Sequence, residues 1–257
     1  MPRPLTATIH LDAMRHNLAR ARACAPGANV WAVVKARGYG HGLERASRAF
    51  ADADGLALIE IDSAAELRAR GWTKPVLLLE GIFDAADCAR LCELHLASAV
   101  HTVEQIELLE RADLSAPIDV HLKMNTGMNR LGFKPADFAA AYARLRALPM
   151  VRTITLMTHF ANSDEVDHAR LTMREQVSRF RQGAAGIQAP LSLCNSGAVL
   201  HREALGPLLA SDWIRPGIML YGASPGGASA EQFGLLPAMT LASEIIGIQQ
   251  LAPGDAV

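Results

Sequence analysis

A chain of 257 residues, half of them hydrophobic, is long enough to bury a large core, either as one α/β barrel or as two ordinary domains. Its formal net charge of −1 offers nothing to attract nucleic acid or an anionic membrane. No apolar run approaches a bilayer span and no basic-then-apolar signal opens the chain, so a cytoplasmic protein is expected.

In chain order, Thr6–Leu11 alternates like a strand and precedes a helix predicted over Asp12–Ala23. Eight short apolar runs then recur, each read as a strand buried on both faces: Trp31–Val34, Gly55–Ile59, Val76–Leu79, Leu96–Val100, Ile118–Leu122, Ile154–Met157, Leu191–Cys194 and Ile218–Leu220. Helical patterns fill the intervals, as at Ser63–Arg70, Thr102–Ala112, Pro135–Leu148 and His168–Gln182, several opened by a Ser, Thr or Asp cap. Eight such units in succession predict a (β/α)8 TIM-like barrel, assigned to a domain of residues 1–235.

Ser224–Ala230, rich in Gly, Ser and Ala, reads as a flexible linker. Thr240–Leu251 reads as a long strand followed by the turn Pro253–Asp255, so residues 236–257 are expected to begin a truncated, β-rich second domain whose unpaired strand is an exposed edge.

Cysteines at 24, 88, 92 and 194 are too few and too scattered for a disulfide framework. Cys88, Cys92 and His95 have helical spacing. The pattern around them is that of an amphipathic helix with partly buried cysteines, and no metal site is expected.

In a barrel of this kind the chemistry sits at the C-terminal ends of the strands. There stand Lys35, Glu80, His101, Lys123 with Asn125, His159, Asn195 with Ser196, and Arg215 just ahead of the last run. A ring of amine, imidazole, amide, hydroxyl and guanidinium groups converging on one mouth argues for an enzyme. The stretch Val33-Val-Lys-Ala-Arg-Gly-Tyr-Gly-His-Gly42 adds detail: a lone amine at the end of a buried strand faces glycines that let bare backbone N–H groups approach a ligand. That combination suggests a lysine forming a Schiff base beside a phosphate site.

This stretch resembles the cofactor-lysine signature of the bacterial alanine racemases, with Arg37-Gly38 standing where that family usually has Asn-Ala. Two further motifs agree: Lys123-Met-Asn-Thr-Gly-Met-Asn-Arg-Leu-Gly132 and Trp213-Ile-Arg-Pro-Gly-Ile-Met-Leu-Tyr-Gly222. The resemblance implies pyridoxal 5′-phosphate (PLP) as cofactor and the interconversion of L- and D-alanine as reaction, serving D-alanine biosynthesis. It assigns Lys35 the covalent attachment and proton transfer on the D-alanine side. Tyr39, Asn195, Ser196, Gly217 and Ile218 are implied to contact the phosphate, and Arg215 to face the ring nitrogen. His159 is implied to pack over the cofactor ring, and Arg130 to bond the phenolic oxygen near the substrate carboxylate. Lys123 matches a lysine that many members carry carbamylated.

The family's second base is a tyrosine from the β domain of a partner subunit, which implies a homodimer for the full-length protein. None of the three tyrosines here lies in such a domain. Alternatives on the same fold are a non-catalytic PLP carrier and a racemase of broader specificity. Another is a Schiff-base aldolase or phosphosugar barrel, which would need neither Arg215 nor His159.

Overall fold

The computed structural model describes residues 3–165 and 167–256. Eight parallel strands close into a barrel in the order β2 (Asn29–Val33), β3 (Gly55–Leu58), β4 (Val76–Leu78), β5 (Leu96–Val100), β6 (Ile118–Met124), β7 (Val151–Thr158), β8 (Leu191–Ser192) and β9 (Trp213–Ile214). The ring closes where Asn29 and Val30 of β2 pair with Trp213 and Ile214 of β9. β3, β4 and β5 are buried along their whole length, as strands covered on both faces must be.

Side chains inside the barrel form their own small cluster, Trp31, Val33, Ala57, Leu77 and Ala97, separate from the large core between the strands and the outer helices. The indole of Trp31 occupies the space where a Cβ on Gly55 would lie 2.2 Å from its ring, so that position admits only glycine. Trp31 stacks on Trp213, with ring centroids 4.3 Å apart, and the pair fills the end of the barrel away from Lys35.

The expected helices are present with adjusted ends, at Leu11–Cys24, Ile61–Ala69, Val103–Arg111 and Pro135–Arg146. The helix expected from His168 begins only at Met173. Thr172 accepts from the Glu175 amide while Glu175 accepts from the Thr172 amide, a reciprocal cap that fixes the start there. Cys88 and Cys92 are buried on the helix Ala85–Glu93.

The eighth strand is a correction. The run Ile218–Leu220 is not a strand but part of a 3-10 turn, Ile218–Tyr221, and the barrel is completed by Trp213–Ile214. Pro216 and Gly217 break the ladder between them, so Arg215 lies at the C-terminal end of the last strand, where active-site residues of barrels stand. The turn is held from outside by buried Asn17, whose Nδ2 donates to the carbonyls of Leu220 and Leu236 while its Oδ1 accepts from the Leu236 amide.

β1 (Leu5–Ile9) pairs antiparallel with β10 (Met239–Ser243) in a two-stranded sheet apart from the barrel. The strand expected over Thr240–Leu251 is therefore paired, and confined to its first residues. Beyond it Ile245, Ile246 and Ile248 are each more than three-quarters exposed.

Candidate active site

At the C-terminal mouth of the barrel a cavity of about 260 Å³ is lined by Lys35, Tyr39, Glu80, Lys123, Arg130, His159, Asn195, Ser196, Arg215, Gly217 and Ile218, among others. Every residue that the family resemblance assigns to the site therefore lines one cavity. His101 and Asn125 do not. The His101 Nε2 is turned to the Glu80 carbonyl, 2.9 Å away, and the Asn125 Oδ1 accepts from the amides of Gly127 and Asn129 to brace its own loop.

Lys35 stands two residues beyond β2, its backbone led out of the barrel by the hydrogen bond from the Val34 amide to the Ala57 carbonyl. The chain then turns left-handed: φ is +50° at Ala36, +52° at Arg37, +67° at Gly38 and +51° at Tyr39. Gly40 continues the run at +82°, and five successive residues of this hand are costly for L-amino acids, at roughly 1–2 kcal/mol each outside glycine. The turn folds Tyr39 back beneath Lys35, whose Nζ lies 5.9 Å from the centre of the Tyr39 ring. Tyr39 is stacked in turn on Tyr221, whose hydroxyl donates to the Val33 carbonyl at 2.9 Å. Outside, Arg37 pairs with Glu66, which also holds Arg70, so the turn is strapped to the helix Ile61–Ala69.

Opposite Lys35, the helix Ser196–Leu200 and the 3-10 turn Ile218–Tyr221 point their N-terminal ends at the cavity. First-turn amides have no partner within their own helix, so these ends offer N–H groups to an anion. The Ser196 hydroxyl joins them, accepting from the Gly217 amide at 2.9 Å. A Cβ on Gly217 would lie 2.4 Å from the Tyr39 hydroxyl, so the close approach of tyrosine and backbone requires glycine. The Asn195 side chain is committed to protein: its Oδ1 caps the Ala198 amide, and its Nδ2 donates to the Phe160 carbonyl and lies 3.4 Å from the His159 Nε2.

Arg215, 3% exposed, is held by neutral oxygens alone: the carbonyls of Ser192, Leu193 and Thr158 and the Ser192 hydroxyl at 2.7 Å. Burial lowers its pKa to about 10, which leaves it charged at neutral pH. Burial and the cations around it hold His159 well below the ordinary histidine range, so its imidazole is neutral. Lys123 is buried, and burial followed by Arg215 and Arg130 lowers its amine to about 8.

The lining carries Lys35, Lys123, Arg130 and Arg215 against Glu80 and Asp164, a formal excess of positive charge. A dianionic phosphate and a substrate carboxylate match that excess, while amide ends, hydroxyls and the glycine-bounded cradle match a phosphate in shape. The residues present therefore fit PLP. Among the described residues no group of three or more His, Cys, Asp or Glu is placed to hold a metal ion.

Residues 9–225 match the family model described as the N-terminal domain of alanine racemase. The chain belongs to the alanine racemase family. It is 58% identical to an alanine racemase of Janthinobacterium sp. (strain Marseille) over 257 residues, covering all of this chain and 70% of that protein. A relative from Erwinia tasmaniensis is 48% identical, with the same coverage. In structure the chain superposes on the biosynthetic alanine racemase of Pseudomonas aeruginosa with a TM-score of 0.93 at 43% identity, covering all of this chain and 70% of that one. The family relation leaves no observation in favour of a PLP carrier or an aldolase barrel.

Three contributors to the site escaped the sequence. Ser163 and Asp164 line the cavity from the loop after β7, and Ser192 holds Arg215 from within β8. A serine inside the apolar run Leu191–Cys194 was the one available signal.

Proposed function

We propose that this chain supplies the cofactor-binding half of an alanine racemase and the proton-transfer group for D-alanine. The observation that carries this reading is the placement of Lys35, seated over Tyr39 and facing the cradle of Ser196, Gly217 and Ile218 across one cavity. PLP, when bound, supplies an electron sink for the charge left when an amino acid loses its α-proton.

The chain's residues do the remaining work. Lys35 would hold the cofactor covalently, and its amine would take and return the α-proton on the D side. Tyr39, Ser196 and the amide of Ile218 would grip the phosphate, with Gly217, whose amide donates to the Ser196 hydroxyl, bounding the cradle. Asn195 acts at that grip as the cap of the helix Ser196–Leu200 and as a neighbour that orients His159. His159, neutral, covers the ring without adding charge.

Arg215 sets the electronics. A guanidinium stays charged and only donates, so it would disfavour a proton on a ring nitrogen held against it and would limit the spread of charge into the ring. Arg215 would in this way favour racemisation over loss of the amino group. Arg130 takes the phenolic oxygen and the substrate carboxylate. Lys123, carbamylated, becomes an anion between Arg130 and Arg215, which relieves the crowding of cations in the cavity.

In this reading residues 1–235 form the barrel domain and residues 236–257, whose β10 pairs with β1 outside the barrel, belong to a β-rich second domain. The L-side proton falls to a tyrosine of the partner subunit, so the working unit is a homodimer, and the enzyme is cytoplasmic. No helix among the described residues is long and apolar enough to cross a membrane.

The test is loss of chirality from L-alanine and, separately, from D-alanine, with PLP supplied. Turnover abolished by Lys35→Ala supports the reading. Turnover by the parent that Lys35→Ala retains in full overturns it.

A further inference from the structure

The geometry points to Ser192 as the positioning residue that aims the Arg215 guanidinium at the cofactor ring, and so as the side chain that keeps the reaction a racemisation. This rests on the reading of Arg215 given above. Arg215 lies in the wall between the barrel interior and the cavity, and among the described residues no carboxylate pairs with it. A buried charge without a counter-ion is held in place only by its hydrogen bonds, and each one lost leaves a donor unsatisfied.

Three of the four acceptors are main-chain carbonyls, of Thr158, Ser192 and Leu193, whose positions follow from the barrel. The fourth, the Ser192 hydroxyl, is the only side chain in the set. Ser192 is fully buried, and the hydroxyl makes no hydrogen bond other than that with Arg215 among the described residues. A polar group at an interior strand position costs free energy unless it is used, and here its one use is Arg215. The carbonyl and hydroxyl of Ser192 together bracket Nη1, while Thr158 and Leu193 take Nη2. The fork is thereby fixed in its own plane, and Nε is left as the donor for the cavity.

A loosened fork weakens the bias against a protonated ring nitrogen, and charge spreads further into the ring. The proton then returns in part to the cofactor's own carbon instead of the α-carbon. Hydrolysis by water completes that side path: alanine becomes pyruvate, its amino group and two electrons remain on the cofactor, and the cofactor leaves the cycle in its amine form.

The experiment uses the full chain loaded with PLP and D-alanine, so that only the Lys35 side of the reaction is needed. Pyruvate formed per α-proton exchanged with deuterium oxide is measured for the parent, Ser192→Ala, Ser192→Thr and Arg215→Lys, beside the pH dependence of the cofactor's absorbance. Loss of one bond to a charged donor predicts about a tenfold rise in that ratio for Ser192→Ala, with an altered absorbance titration, and a near-parental ratio for Ser192→Thr. Ser192→Cys, nearly isosteric, replaces the alanine variant if that one fails to fold. An effect of Arg215→Lys with none of Ser192→Ala overturns the role of Ser192 and leaves that of Arg215 standing. No effect of Arg215→Lys removes the reading of Arg215 and this inference with it.

Discussion

Lys123 shows how little of a site's electrostatics a residue's identity conveys. Its place beside Arg130 is legible in the segment Lys123–Arg130, but the lowering of its amine comes from burial and from Arg215, which arrives from a strand some ninety residues further on. The neutral amine is the form that takes up carbon dioxide, and with a pKa of about 8 its fraction grows as pH rises through that value. A carbamate signal in carbon-13 NMR with labelled bicarbonate is therefore expected to be weak at about pH 6.5 and strong at about pH 8.5. It should vanish in Lys123→Ala. A signal that persists in that variant assigns the carbamate elsewhere.

At the scale of elements, the glycines after Lys35 announce an irregular connection at the end of β2, and the fold has one there. Its left-handed course is not legible, because three of its five left-handed residues, Ala36, Arg37 and Tyr39, are not glycines. Arg37 carries the unfavourable φ in full view of solvent, and its compensation is an exposed pair with Glu66. Such pairs contribute between zero and about 1 kcal/mol, less than the cost of a left-handed non-glycine residue, whereas asparagine adopts that conformation readily. Arg37→Asn is accordingly expected to stabilise the fold by about 0.5 kcal/mol, read from urea midpoints at unchanged slope. Destabilisation by a similar amount would show that the strap to Glu66 outweighs the strain.

The last barrel strand failed for a related reason. Ile218–Leu220 is as apolar as the true strands, but the Pro216-Gly217 pair ahead of it ends the ladder, and the real strand is only Trp213–Ile214. Length and hydropathy could not separate a buried 3-10 turn from a short buried strand. The barrel itself, by contrast, is legible because strands covered on both faces, as β3, β4 and β5 are, leave short apolar runs that alternate with helical patterns.

For the molecule as a whole, the buried histidines set the response to acid. His121, 3% exposed inside the barrel beside Trp31, has its pKa lowered to about 3, first by burial and then by Arg215. In the unfolded chain it titrates near 6.5, so between about 6.5 and 3 the unfolded state binds a proton that the folded state refuses. Stability then falls as pH falls, by up to about 1.4 kcal/mol per pH unit for each such group, and His159 acts in the same direction. Urea denaturation at about pH 5 and pH 7 is expected to show this loss, and His121→Phe is expected to reduce it. An unchanged loss in the variant would assign acid sensitivity to other groups.

Lys35 faces the cradle of Ser196, Gly217 and Ile218 across the barrel mouth, and one measurement reaches its proposed role directly. The chain is loaded with PLP and reduced with borohydride, and its peptides are mapped by mass. A single stoichiometric pyridoxyl adduct is expected on Lys35, absent from Lys35→Ala. An adduct on Lys123 instead, or none on any lysine, would contradict that role.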